Sequence, residues 1–89
     1  MRAVISVIGK DRVGIIAGVT RILAEANVNI LDINQTIMQE IFTMVMLVDI
    51  SQADVPFTRL SDDLRDLGAE LGLSIQIQHE DIFNSMHRI

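Results

Sequence analysis

Asp11 sits in a short charged turn between two glycines, in the stretch Ser6-Val7-Ile8-Gly9-Lys10-Asp11-Arg12-Val13-Gly14-Ile15-Ile16. The alternating apolar run before it ends at Gly9, and a helical pattern begins at about Val13. A strand therefore passes through a tight loop straight into the first turn of a helix. The first N–H groups of a helix have no intrahelical acceptor, and the positive end of its dipole lies there. Such a junction holds a small anion such as a carboxylate. Gly14 falls within the first helical turn, where it costs helix stability but, having no Cβ, allows close approach of a ligand or backbone. The sequence leaves an equal alternative, in which Gly9 is only a turn and Gly14 only tight helix–sheet packing.

Other chemistry is sparse. Ser6, Ser51, Ser61, Ser74 and Ser85 lack a His/Asp setting, because the only histidines, His79 and His87, lie in the C-terminal segment. A nucleophilic triad needs those partners in reach. The same histidines, eight residues apart, match no usual metal-ligand spacing even with Glu80 and Asp81 nearby. There is no cysteine, hence no disulfide, no thiol catalysis and no thiolate zinc site. Met44 and Met46 read as core filling. No enzyme activity, cofactor or metal is expected.

The elements that must position the turn follow from pattern. At 89 residues the chain is one domain with a modest core, and 49% hydrophobic residues suffice to fold it. A net charge of −5 without a basic cluster, and 3% aromatic residues, argue against nucleic acid and anionic membranes as partners. The N-terminal apolar run is too short for a signal peptide, so a cytoplasmic location is expected. Residues 2–8 alternate with apolar groups on both faces, a strand interior to a sheet. Residues 13–26 carry a helical stripe of Ile16, Val19, Leu23 and Ala26, stopped at Asn27. A second strand spans about residues 28–39, and its alternation slips around Leu31, which predicts a bulge. Gln39-Glu40 links it as a hairpin to a third strand, residues 42–50. Pro56 opens a second helix with the stripe Phe57, Leu60, Leu64, Leu67 and Leu71, and Gly72 caps it. Residues 73–78 alternate strictly as a fourth strand.

This β-α-β-β-α-β order is the ferredoxin-like α+β arrangement: a four-stranded antiparallel sheet with two helices on one face. The unit covers residues 1–79. Residues 80–89 form a tail in which Ile82, Phe83, Met86 and Ile89 recur at helical spacing. A helix this short needs a surface to pack on, and the second sheet face, with Val4, Ile8, Val45 and Leu47, offers one. A frayed terminus is the alternative.

With Gly9-Lys10-Asp11-Arg12-Val13-Gly14-Ile15 after the first strand and Asn27-Val28-Asn29-Ile30 opening the second, residues 2–78 resemble the ACT domain family. The chain looks most similar to small stand-alone ACT proteins, such as the glycine cleavage regulators and an uncharacterised bacterial and archaeal group. The resemblance implies a regulatory domain that binds an amino acid or other small effector at an interface between domains. It implies a ligand-binding set of Asp11, Arg12, Val13, Gly14, Ile15 and Asn29, with Asn29 from the same or a neighbouring subunit. Asp11 would meet an α-ammonium, the N–H groups around Val13 to Ile15 an α-carboxylate, and Asn29 either. Helix capping by Asp11 and a strand-edge bond at Asn29 are the structural alternatives, and Lys10 and Arg12 also read as solvated charges. Val13 stands where the family often has proline, and the tail is an addition to the family unit.

The reading is a non-catalytic regulator that senses a small metabolite, most simply an amino acid, and acts as a homodimer or larger homo-oligomer. The alternative is a ligand-free protein-interaction module.

Overall fold

Alternation along the strands sorts their side chains onto two faces, and one face carries nearly all the bulk. In the computed structural model, which describes residues 1–86, the elements are β1 (Arg2–Lys10), α1 (Ile15–Glu25), β2 (Asn29–Met38), β3 (Ile41–Asp49), α2 (Phe57–Leu71), β4 (Leu73–His79) and α3 (Glu80–Met86). The four strands pair antiparallel in the order β2-β3-β1-β4. This is the ferredoxin-like sheet, with β1 and β3 central as their two-sided apolar patterns require. The helix-facing residues Ala3, Ile5 and Val7 of β1 and Met44, Met46 and Val48 of β3 are wholly buried. Val19 and Leu23 of α1 and Leu60 and Leu64 of α2 close the core above them.

The ends of the elements follow local chemistry. Asn27 takes a left-handed conformation (φ 60°) just past α1, and its side-chain amide donates to the Gln52 carbonyl at 2.9 Å. Pro56 precedes α2 in an extended conformation, and Gly72 ends that helix at φ 73°. Leu31 is the extra residue of a bulge, because Ile30 faces Val48 while Asp32 faces Leu47. Two of the boundary shifts from the sequence pattern bear on the turn. β1 continues through Gly9 to Lys10, and α1 begins at Ile15 rather than Val13, for reasons set by the two glycines.

The tail is helical over Glu80–Met86 and packs against β1 and β4. Arg2 ties it down, its Nε donating to Glu80 Oε1 at 3.0 Å and its Nη2 lying 2.7 Å from Oε2. Val4, on the outer sheet face, is 6% exposed at that end, whereas Ile8 and Val45, further along, remain open. The Ile89 position proposed for the tail stripe lies outside the described residues.

Stability should divide accordingly. Leu64→Ala, which opens a cavity between α2 and the sheet, is expected to cost about 2–5 kcal/mol. Ile82→Ala, at a half-exposed tail position, should cost no more than about 0.5 kcal/mol. Urea unfolding midpoints of the two variants test this ordering.

Candidate functional site

The turn after β1 is held on two sides. The Asp11 backbone N–H donates to the Glu40 carbonyl at 2.9 Å, which ties the turn to the β2–β3 hairpin. That hairpin turns through Gln39 in a left-handed conformation (φ 58°). On the other side the Arg12 guanidinium reaches the Leu71 carbonyl, at the C-terminal end of α2, at 3.4 Å. The turn is thus anchored by the Asp11 main chain and the Arg12 side chain, and the Asp11 carboxylate makes no hydrogen bond or ion pair within the described residues.

The glycines exchange the roles that spacing suggests. Gly9 lies inside β1, paired with Phe42 and Leu73. A Cβ there would meet Leu73 Cδ2 at 2.4 Å and Leu73 Cα at 3.2 Å, so Gly9 is the close-approach glycine. Gly14 is the N-cap of α1 at φ 97°, and a Cβ on it would touch nothing within 4 Å. Its glycine is required by backbone conformation, not by crowding. This corrects the placement of Gly14 within the helix. It also corrects the capping alternative for Asp11: no side chain caps α1, whose first bond runs from the Gly18 N–H to the Gly14 carbonyl at 2.9 Å. The N–H groups of the first turn thus face outward without a side-chain acceptor.

Beside this helix end opens a cavity of about 250 Å³. Asp11, Arg12, Gly14 and Ile15 form its loop side, with Gln35 and Ile37 of β2 opposite and Phe42 of β3 at its base. Four of the six residues implied by the resemblance, Asp11, Arg12, Gly14 and Ile15, therefore line one site. Val13, between them in the chain, is almost fully exposed, at 95%, and does not line it. Asn29 is not brought there. It pairs with Asp49 at the far end of β2, roughly 25 Å along the strand from Ile37 by strand rise. A site uniting Asn29 with the turn within one chain is therefore excluded. Near Asn29, the Ser51 hydroxyl donates to the Asp49 carboxylate and, with the Ser51 N–H, holds its carboxyl below the ordinary value. Sequence reasoning missed Gln35 and Ile37, which read only as strand positions; the signal available was their same-face spacing on a strand leading into the hairpin that touches Asp11.

A larger recess of about 610 Å³ opens at the opposite end, beside Arg2, His79 and Glu80, but there Arg2 and Glu80 already satisfy one another. His79 stacks on Phe57, ring centroids 4.3 Å apart, and is engaged in packing. Among the described residues no group of three or more His, Cys, Asp or Glu is placed to hold a metal ion, and no helix is long and apolar enough to cross a membrane.

The fold agrees with known proteins. The ACT domain family profile matches residues 2–78. A UPF0237 protein of Methanocaldococcus jannaschii is 59% identical over 88 residues, covering 99% of this chain and 98% of the relative. The solved structure of an ACT domain protein from Streptococcus pneumoniae aligns with TM-score 0.79 at 43% identity, over 93% of each chain. A candidate glycine cleavage system transcriptional repressor aligns with TM-score 0.72 at 30% identity, over 86% of this chain and 44% of its own.

The two glycine roles predict opposite responses to size. At Gly14, alanine should cost about 1–2 kcal/mol, and the larger asparagine less, because asparagine tolerates the left-handed region. At Gly9, alanine should cost about 1–3 kcal/mol through forced displacement of Leu73, and asparagine more. Urea unfolding of the four variants reads the order directly.

Proposed function

The chain belongs to the ACT domain family, and we propose that it is a non-catalytic regulator that binds an α-amino acid and works as a symmetric oligomer. The observation that carries this reading is the cavity beside α1, where opposite charges and an uncapped helix terminus meet. An α-amino acid is complementary to it. The ammonium pairs with Asp11, while the carboxylate takes the first-turn N–H groups around Ile15 and, once a rotamer change releases it from the Leu71 carbonyl, the Arg12 guanidinium. Residues 1–79 act as the sensing unit and residues 80–89 as an appended tail.

Oligomer formation is supported by β2. It is an edge strand, and every residue in it except Ile30 is exposed, including Leu31, Ile33, Ile37 and Met38. A long apolar edge of this kind is a pairing template. Antiparallel pairing of two copies about the middle of β2 would set Asn29 of one copy near Met38 of the other. That end of β2 adjoins the Asp11 turn, so a two-fold dimer would return Asn29 to the site from a second copy.

In a thermal-shift screen of the twenty amino acids, a ligand at about a hundredfold its Kd is expected to add ~2.7 kcal/mol of stability. For a domain of this size that raises Tm by roughly 10 °C or more. Asp11→Ala, which removes no cap, should keep the fold and lose the shift. Light scattering at micromolar concentration should give a dimer or larger mass. A monomer unchanged by every amino acid would refute the oligomeric part of the proposal, and a flat screen would refute the sensing part.

A further inference from the structure

The cavity beside α1 has a strongly divided lining, and that division specifies a side chain. Resting on the amino-acid reading above, we infer that the site selects amino acids with an aliphatic side chain of valine-to-leucine size, and that Ile37 and Ile16 set this preference.

Both charged groups, Asp11 and Arg12, stand on the loop side. The base is Phe42 and Ile15, exposed by only 3% and 2%, so it is closed and apolar. The walls are Ile37 of β2 and Ile16 of α1, exposed by 57% and 41%. Among the described residues, Gln35 is the only polar side chain on the strand side. A zwitterionic head placed at Asp11 and the first-turn N–H groups of α1 would direct its Cβ away from the loop and between the two isoleucines. No carboxylate or cation lines that part of the cavity to meet an acidic or basic side chain, which would be desolvated without a partner. An aliphatic chain instead removes two exposed isoleucine surfaces from water. At about 250 Å³ the cavity has room for a few methyl groups beyond the head. Each methylene buried there contributes about 0.8 kcal/mol, so two or three extra carbons over alanine correspond to a roughly tenfold or larger gain in affinity.

Isothermal titration of the full chain with valine, leucine, alanine, serine, glutamate and lysine tests this, alongside Ile37→Thr, which keeps a β-branched residue on the strand. Valine or leucine should bind at least about tenfold tighter than alanine or serine. In Ile37→Thr that advantage should shrink to a fewfold, with alanine binding unchanged. Light scattering of the variant checks that its mass is that of the parent; where it is not, Ile16→Ala on α1 decides by the same criterion. Amino acids binding without aliphatic preference, or a preference that survives these substitutions, would overturn this inference and leave amino-acid sensing standing. No binding by any of the six would overturn both.

Discussion

The approach of β1 to β4 at Gly9 is the constraint on which the rest of the molecule depends. There the two strands run so close that the space for a Cβ is taken by Leu73. Because β1 stays in register with both neighbours through this point, it delivers Lys10 and Asp11 to the rim of the sheet and not above it. The Asp11 N–H then meets the Glu40 carbonyl of the hairpin, and only a left-handed Gly14 turns the chain back onto the core as α1. A side chain at Gly9 would push β4 outward and carry Leu71 and Gly72 with it, loosening the carbonyl that Arg12 reaches. Sheet pairing, loop position and the orientation of the helix end are thus one geometric chain.

Charge near the turn is arranged by the same logic. A buried carboxylate or guanidinium would need a partner of its own. Asp11 and Arg12 instead lie at the exposed rim, where solvent pays part of the cost of keeping them charged. Among the described residues Arg12 is restrained by a long bond to a carbonyl, and Asp11 through its backbone. Both side chains are free to reorient by rotamer change while the main chain beneath them is fixed by strand pairing. A ligand binding there would order two side chains and leave the backbone as it is, which keeps its entropic cost low.

Much of the fold was legible in the sequence because its signals are local. Pro56, Gly72 and Asn27 each mark an end by conformational preference, and the slip in alternation at Leu31 is a bulge written directly into the pattern. What was not legible depends on distance or volume. A glycine looks the same in sequence whether it is required by φ or by crowding, so the roles of Gly9 and Gly14 were open until their surroundings were known. Asn29 and Asp11 both face loops near strand ends, but a ten-residue β2 separates them by the length of the sheet. Ile33 and Ile37 repeat with the period of a half-buried strand; that neither helix reaches across to cover them is a matter of where α1 lies, which no periodicity encodes.

That uncovered edge also has to avoid indiscriminate pairing, and the bulge supplies a means. A strand whose donors and acceptors were all free over its whole length would be open to any extended chain. At Leu31 the extra residue interrupts the ladder and increases the local twist. Directly after it the Asp32 carboxylate accepts the Ile33 N–H at 2.9 Å, occupying that donor with an intramolecular acceptor and placing a negative charge beside it. The first half of β2 is therefore less open to an arbitrary extended chain. The stretch beyond it, Gln35 to Met38, carries no such device among the described residues, and its Gln35 and Ile37 border the cavity. The part of the edge most open to association and the part that lines the candidate site are the same few residues, so whatever covers one necessarily alters the other.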